Sequence, residues 1–246
     1  MTTIPKGPDN PRGLPEYLSF VSDKFPNTIW LQDTYKYELI KLYTYVHENL
    51  ILVDTFVNFF SDRSLNYKLR FLHEYKEAIN SLLITVPVNF SGFARFNIRV
   101  ASEALLKFIY SLTYTEIEEE QVSRTAFRHL KTELKSHASN LPIKPEIIEL
   151  TQVYGEYSKK IHNHTNTEYD LGTTLNKFTD DYSEEINHAI RVTDSIINLF
   201  TLTVSYKTQF NLAALSSANR IRLNTNISEE RKLHLKRFSL NEVETY

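Results

Sequence analysis

The stretch SGFARFNIRVASEALLKFIYSLTY, Ser91 to Tyr114, decides the fold class. Ala94, Ile98, Ala101, Leu105, Phe108 and Ile109 recur at the three- and four-residue spacing that lines one side of an α-helix. A second row, Arg95, Arg99, Glu103 and Lys107, steps by four along another side. Neighbours at that interval touch, so Arg99 and Glu103 are placed to pair. On an open surface this row is a solvated face. Inside a bundle it is a polar seam that needs partners. An apolar side of this length belongs to helix-on-helix packing rather than to a sheet.

Toward the N-terminus the pattern repeats. Apolar residues at helical spacing from Asp33 to Phe60, including Tyr35, Leu39, Val46, Val53 and Phe60, predict a long amphipathic helix suited to a bundle or a dimer seam. A second helix is expected from about Leu65 to Ile84, stopped by Pro87. A short helix from Pro15 to Lys24 uses proline in its first turn, where the missing N–H costs nothing. Residues 1–13, with Pro5, Gly7, Pro8, Pro11 and Gly13, read as an extended arm.

Toward the C-terminus, the acids Glu116 to Glu120 suit a helix start, and that helix is expected to run through Phe127 and Leu134 to about His137. Asn140, Pro142 and Pro145 interrupt it, and Pro145 opens a helix through Leu150, Tyr154, Tyr157 and Ile161. After a polar loop at 163–172, Thr179-Asp180-Asp181 reads as the cap of a helix reaching about Thr208. Residues 211–246 are less periodic and locally basic, and Ser228-Glu229-Glu230 reads as the cap of a short last helix. The expectation is an all-α, up-and-down bundle over 31–210. An arm and short helix precede it at 1–30, and a basic appendage follows at 211–246.

Composition narrows the function classes. A net charge of −2 over 246 residues does not indicate a globally basic nucleic-acid binder. The absence of cysteine excludes disulfides, thiolate catalysis and cysteine-ligated zinc, and fits a reducing, cytoplasmic setting. The first residues lack the basic start and apolar run of a signal peptide, and no run of 18 apolar residues predicts a membrane span.

The densest chemistry lies in YGEYSKKIHNHTN, Tyr154 to Asn166. On a helix Tyr154, Ser158 and His162 align, as do Lys160 and His164. His162 and His164 then point apart with no carboxylate close by in sequence, so neither a metal site nor a cofactor is expected. Histidines and lysines near a helix C-terminus also have a plain explanation, because the helix dipole favours cations there. Gly155 in mid-helix costs roughly 1 kcal/mol relative to alanine. Either it admits a neighbouring helix or it is merely tolerated.

Taken together, Arg-x-x-x-Glu-x-x-x-Lys at Arg99, Glu103 and Lys107, Phe-Arg-His-Leu-Lys at Phe127–Lys131, and Tyr-x-x-x-Ser-x-x-x-His-Asn at Tyr154–Asn163 resemble the HEPN-type helical proteins over about 91–208. The resemblance implies an α-helical bundle, commonly a homodimer. In many members it implies a metal-independent ribonuclease of toxin–antitoxin, abortive-infection or CRISPR-linked defence. In others it implies a non-catalytic binding module. In the active reading His162 or His164 is the general acid or base for attack of an RNA 2′-hydroxyl on the adjacent phosphate. Arg99, Lys159 or Lys160 then stabilises the phosphoryl charge, and Ser158 lies on the same helix face. The chain departs from the family signature, Arg followed after four to six residues by His, at these histidines: Tyr157 stands five residues before His162, and Lys159 five before His164. Lys159 with His164 keeps the interval and the charge without the planar guanidinium fork, which Arg99 supplies from a neighbouring helix. In the silent reading Arg99 is engaged by Glu103, and the chain binds a partner protein.

Overall fold

A computed structural model describes residues 11–62, 68–162 and 182–237. Among them the chain is all α-helical with no strand: α1 (Leu14–Lys24), α2 (Asp33–Asp62), α3 (Leu69–Thr85), α4 (Ser91–Thr113), α5 (Glu119–Arg124), α6 (Phe127–Ser136), α7 (Lys144–His162), α8 (Ser183–Lys207), α9 (Ser217–Asn226) and α10 (Glu229–Lys236). The apolar row of α4 is buried throughout, with Ile98, Leu105 and Phe108 fully inside. Because α4 also buries residues outside that row, Leu106 and Tyr110 among them, it is the central helix. It packs against α3, α7 and α8, while α2 lies across α3 and α8. No helix among the described residues is long and apolar enough to cross a membrane.

Aromatic rings tie the long helices together. Phe56 of α2 meets Phe200 of α8 at 5.4 Å between centroids, and Phe200 meets Tyr75 of α3 at 4.8 Å. The Tyr75 hydroxyl donates to Asn49 Oδ1 at 2.8 Å, which satisfies its polar end inside the core. At the N-terminal side Gly13 caps α1 with φ 86°, and a Cβ there would stand 2.6 Å from the Tyr43 hydroxyl. That hydroxyl donates to the Arg12 carbonyl at 2.8 Å. Glycine is required at this position by both conformation and space.

The single helix expected from Glu116 to His137 is two helices. Thr125 and Ala126 are extended between α5 and α6. Val122 and Leu130 are both fully buried, yet on one straight helix they would face directions about 80° apart. Breaking the helix lets both reach the core. The turn that follows is held by Asn140, whose Nδ2 donates to the Leu134 carbonyl at 2.9 Å and whose Oδ1 accepts from Lys207 Nζ at 2.9 Å. Burial pushes the Lys207 ammonium down to about 8.

Residues 211–237 pack into the core cluster. Leu223, Ile227 and Leu235 are buried against it, and α9 and α10 contact α2 and α8 respectively. Weak periodicity hid this, because short helices bury one or two residues each. Ser216, not anticipated as a cap, accepts the Asn219 N–H at 3.3 Å and starts α9. The Ser228 side chain makes no cap bond, and its backbone N–H donates to Glu48 Oε1 at 2.6 Å. The basic residues here largely meet acids of the bundle. Arg222 pairs with Asp54 at 3.0 Å and Arg237 with Glu146 at 2.9 Å. Arg231, only 2% exposed, lies between Glu48 and Asp194. Thr179-Asp180-Asp181 and the loop at 163–172 lie outside the described residues.

Candidate functional site

The three sequence segments that carry the resemblance meet where α4, α6 and α7 converge. The Tyr154 ring of α7 stacks on Phe127 of α6 at 3.9 Å between centroids. The Arg99 guanidinium of α4 covers the Tyr154 ring at 5.5 Å, and Arg99 Nη2 donates to the Tyr154 hydroxyl at 3.4 Å. A guanidinium over an aromatic face is attracted by the negative face of the ring. Arg99 also stands 3.6 Å from Glu103, whose other oxygen is 2.9 Å from Lys107 Nζ. The four-residue row on α4 is therefore a paired, partly buried seam, with Arg99 engaged from two sides.

One turn toward the α4 N-terminus the seam continues as Arg95, which pairs with Glu185 of α8. Across from it Lys160 Nζ donates to Glu156 Oε1 at 2.6 Å, and the same oxygen is 3.5 Å from His188 Nε2. The Lys160 hydrogen bond, chiefly, holds the Glu156 carboxyl below the usual carboxylate range against some desolvation. Tyr157 is 1% exposed. Its ring stacks over His188 at 6.3 Å, and burial raises its hydroxyl well above the ordinary tyrosine range. Arg95, Tyr157, Lys160, Glu184, Glu185 and His188 line an open cleft of about 470 Å³ between α7 and α8.

Of the residues expected to do chemistry, Arg99 reaches the α7 face that Tyr154 shares, by helical register, with Ser158. Ser158 is half-buried and Lys159 is exposed. His162 closes the backbone of α7, but its side chain and the whole of His164 lie outside the described residues. Sequence reading missed His188, Glu184, Glu185 and Glu156 as neighbours of this seam. Glu156 stood within the Tyr154–Asn166 stretch itself, and the local signal of Glu184 and Glu185 was the acidic first turn of α8, which has the sufficient explanation of a favourable helix start.

Gly155 has a plain explanation. Among the described residues no atom outside its own helix comes within 4 Å of the place a Cβ would occupy, so none of the described helices uses it for close approach. Gly155→Ala is expected to raise stability by about 0.5–1 kcal/mol through helix propensity and a less flexible unfolded chain. A thermal melt reads this directly, and a lowered midpoint would refute it.

Set beside known proteins, the chain matches no protein-family model, no curated protein and no solved structure. Fold and site together define a class: an all-α bundle whose central helix carries a charge-paired seam facing two neighbouring helices.

Proposed function

We propose that this chain is a HEPN-like helical module that acts by binding a partner protein, in a prokaryotic defence or toxin–antitoxin setting, without cleaving RNA itself. The observation that carries this reading is the pairing of the seam. Arg95, Arg99, Lys107 and Lys160 each contact a carboxylate of the same bundle, Glu185, Glu103, Glu103 and Glu156 respectively. A phosphate entering here meets four cations already engaged by three carboxylates, beside the further carboxylate of Glu184 in the cleft. Transition-state stabilisation of phosphoryl transfer requires the opposite, preorganised positive charge aimed at the developing anion.

Partner binding has its own support at the corner where α3 turns into α4. Ile84, Val88, Phe93 and Phe96 are each between 44% and 52% exposed there, and Asn97 Nδ2 reaches Thr85 Oγ1 at 3.5 Å, bringing the two helices together. Exposed apolar side chains grouped in this way favour contact with another protein.

The ribonuclease reading keeps one observation in its favour: Arg99 is seated on the α7 face that leads to His162. Incubating purified, folded protein with total RNA and a tRNA pool in EDTA separates the two. The expected outcome is no cleavage. Cleavage that disappears in a His162→Ala/His164→Ala variant would overturn the binding reading and establish a metal-independent ribonuclease.

A further inference from the structure

A second cleft, of about 260 Å³, lies on the bundle between the first turns of α7 and the middle of α8. Pro145, Leu199 and Leu202 supply apolar walls, and Glu146, Glu149, Ser195 and Asn198 supply polar groups. Glu146 is the anchor. It is 7% exposed, and its Oε2 is buried without a hydrogen-bond partner. Its Oε1 receives Arg237 Nη1 at 2.9 Å. Arg237 itself keeps 51% of its side chain exposed. Glu149 accepts the Ser195 hydroxyl at 2.7 Å, and Asn198 Nδ2 reaches Glu230 at 3.4 Å, which adds two further carboxylates around the opening. Arg231, which donates to Asn198, is itself held by Glu48 and Asp194.

We infer that this cleft receives an arginine side chain from an extended segment of a partner protein, and that Arg237 occupies the position in its absence. Each part of the lining has a role in that contact. A guanidinium pairs with a carboxylate through two parallel N–H···O bonds, and Glu146 Oε2 is the oxygen left for the second. The aliphatic stem of the incoming side chain lies along Leu199, Leu202 and Pro145. An exposed arginine that already makes the first bond is a competitor that a preorganised partner displaces. The inference rests on the partner-binding reading and names the chemistry of the partner.

The test is calorimetric titration of the full chain with an acetylated, amidated Leu-Arg-Leu peptide, with the same peptide carrying citrulline, and with agmatine. Arg237→Ala is expected to bind the arginine peptide about fivefold more tightly than the unmodified chain, the gain for a position that Arg237 fills roughly four-fifths of the time. Adding Glu146→Gln to Arg237→Ala should abolish binding, and the citrulline peptide should not bind to any form. Thermal melts of both variants establish that they are folded. Equal affinity in the unmodified chain and Arg237→Ala, or binding that survives Glu146→Gln, would overturn the inference. Agmatine bound as tightly as the peptide would overturn its partner-protein part and point to a free guanidino compound. RNA cleavage in EDTA would refute the module reading without altering any of these titrations, so the two failures are distinguishable.

Discussion

Arg231→Met will lower stability by about 3–5 kcal/mol at neutral pH, because it leaves a buried carboxylate without its counter-charge. Both Glu48 and Arg231 are 2% exposed. Arg231 Nε stands 3.3 Å from Glu48 Oε2, and the guanidinium also contacts Asp194 and Asn198 of α8. The Ser228 N–H also donates to Glu48. A loss of that size shifts a thermal midpoint by roughly 10 °C in a chain of this length. The effect carries a pH signature. Burial pushes the Glu48 carboxyl above its ordinary range, while Arg231 and then the Ser228 N–H pull it back down. A carboxyl that holds its proton more tightly folded than unfolded supports the fold fully below its unfolded pKa. It loses that contribution as pH rises through the folded value. Removing Arg231 moves the folded value further up. The deficit of the variant should therefore be largest at neutral pH and shrink at acidic pH, as Glu48 takes up its proton. Adding Glu48→Gln should recover much of the loss, since no ion is then buried unpaired and Asp194, 31% exposed, is still reached by water. Urea unfolding of the single and double variants at both pH values measures all of this. A deficit below about 1 kcal/mol, the size of a surface pair, or one that ignores pH, would refute the account.

The second large effect belongs to the ring cluster. Phe200→Ala is expected to cost about 3–5 kcal/mol, because the side chain is fully buried and touches Phe56 and Tyr75, so one deletion loosens α2, α3 and α8 together. Phe200→Leu, which leaves less empty volume, should cost clearly less. Phe93→Ala is the matched control. It deletes the same side chain where it is 52% exposed, and the expected change is within about 0.5 kcal/mol. Denaturant midpoints should move with little change in slope if only the native packing is affected. Equal losses at Phe200 and Phe93 would mean that the cluster does not hold the bundle closed.

The helices were legible for a local reason. Apolar spacing near 3.6 residues is a property of neighbouring positions, so α4 and α2 could be drawn from Ile98, Leu105, Leu39 and Val53 alone. Prolines marked where helices start, as at α1 and α7, and the broken helix at Thr125 was missed because nothing at that position breaks a helix by itself. The seam on α4 was legible as a row. Its partners were not, apart from Glu103 and Lys107 on the same helix. Tyr154 over Arg99, Glu185 against Arg95 and His188 beside Glu156 come from helices that periodicity cannot orient relative to one another.

The sequence by itself determined an all-helical chain, the buried side of each long helix and the kinds of groups gathered near Tyr154. Only the tertiary structure decided which charges are paired, and the proposed function is argued from that pairing. Arg231 looked like part of a basic surface until Glu48 and Asp194 were found around it, and Arg237 until its guanidinium was found on Glu146. The physical reason is that a charge owes its reactivity to its surroundings within a few ångströms. Those surroundings are assembled from segments far apart along the chain.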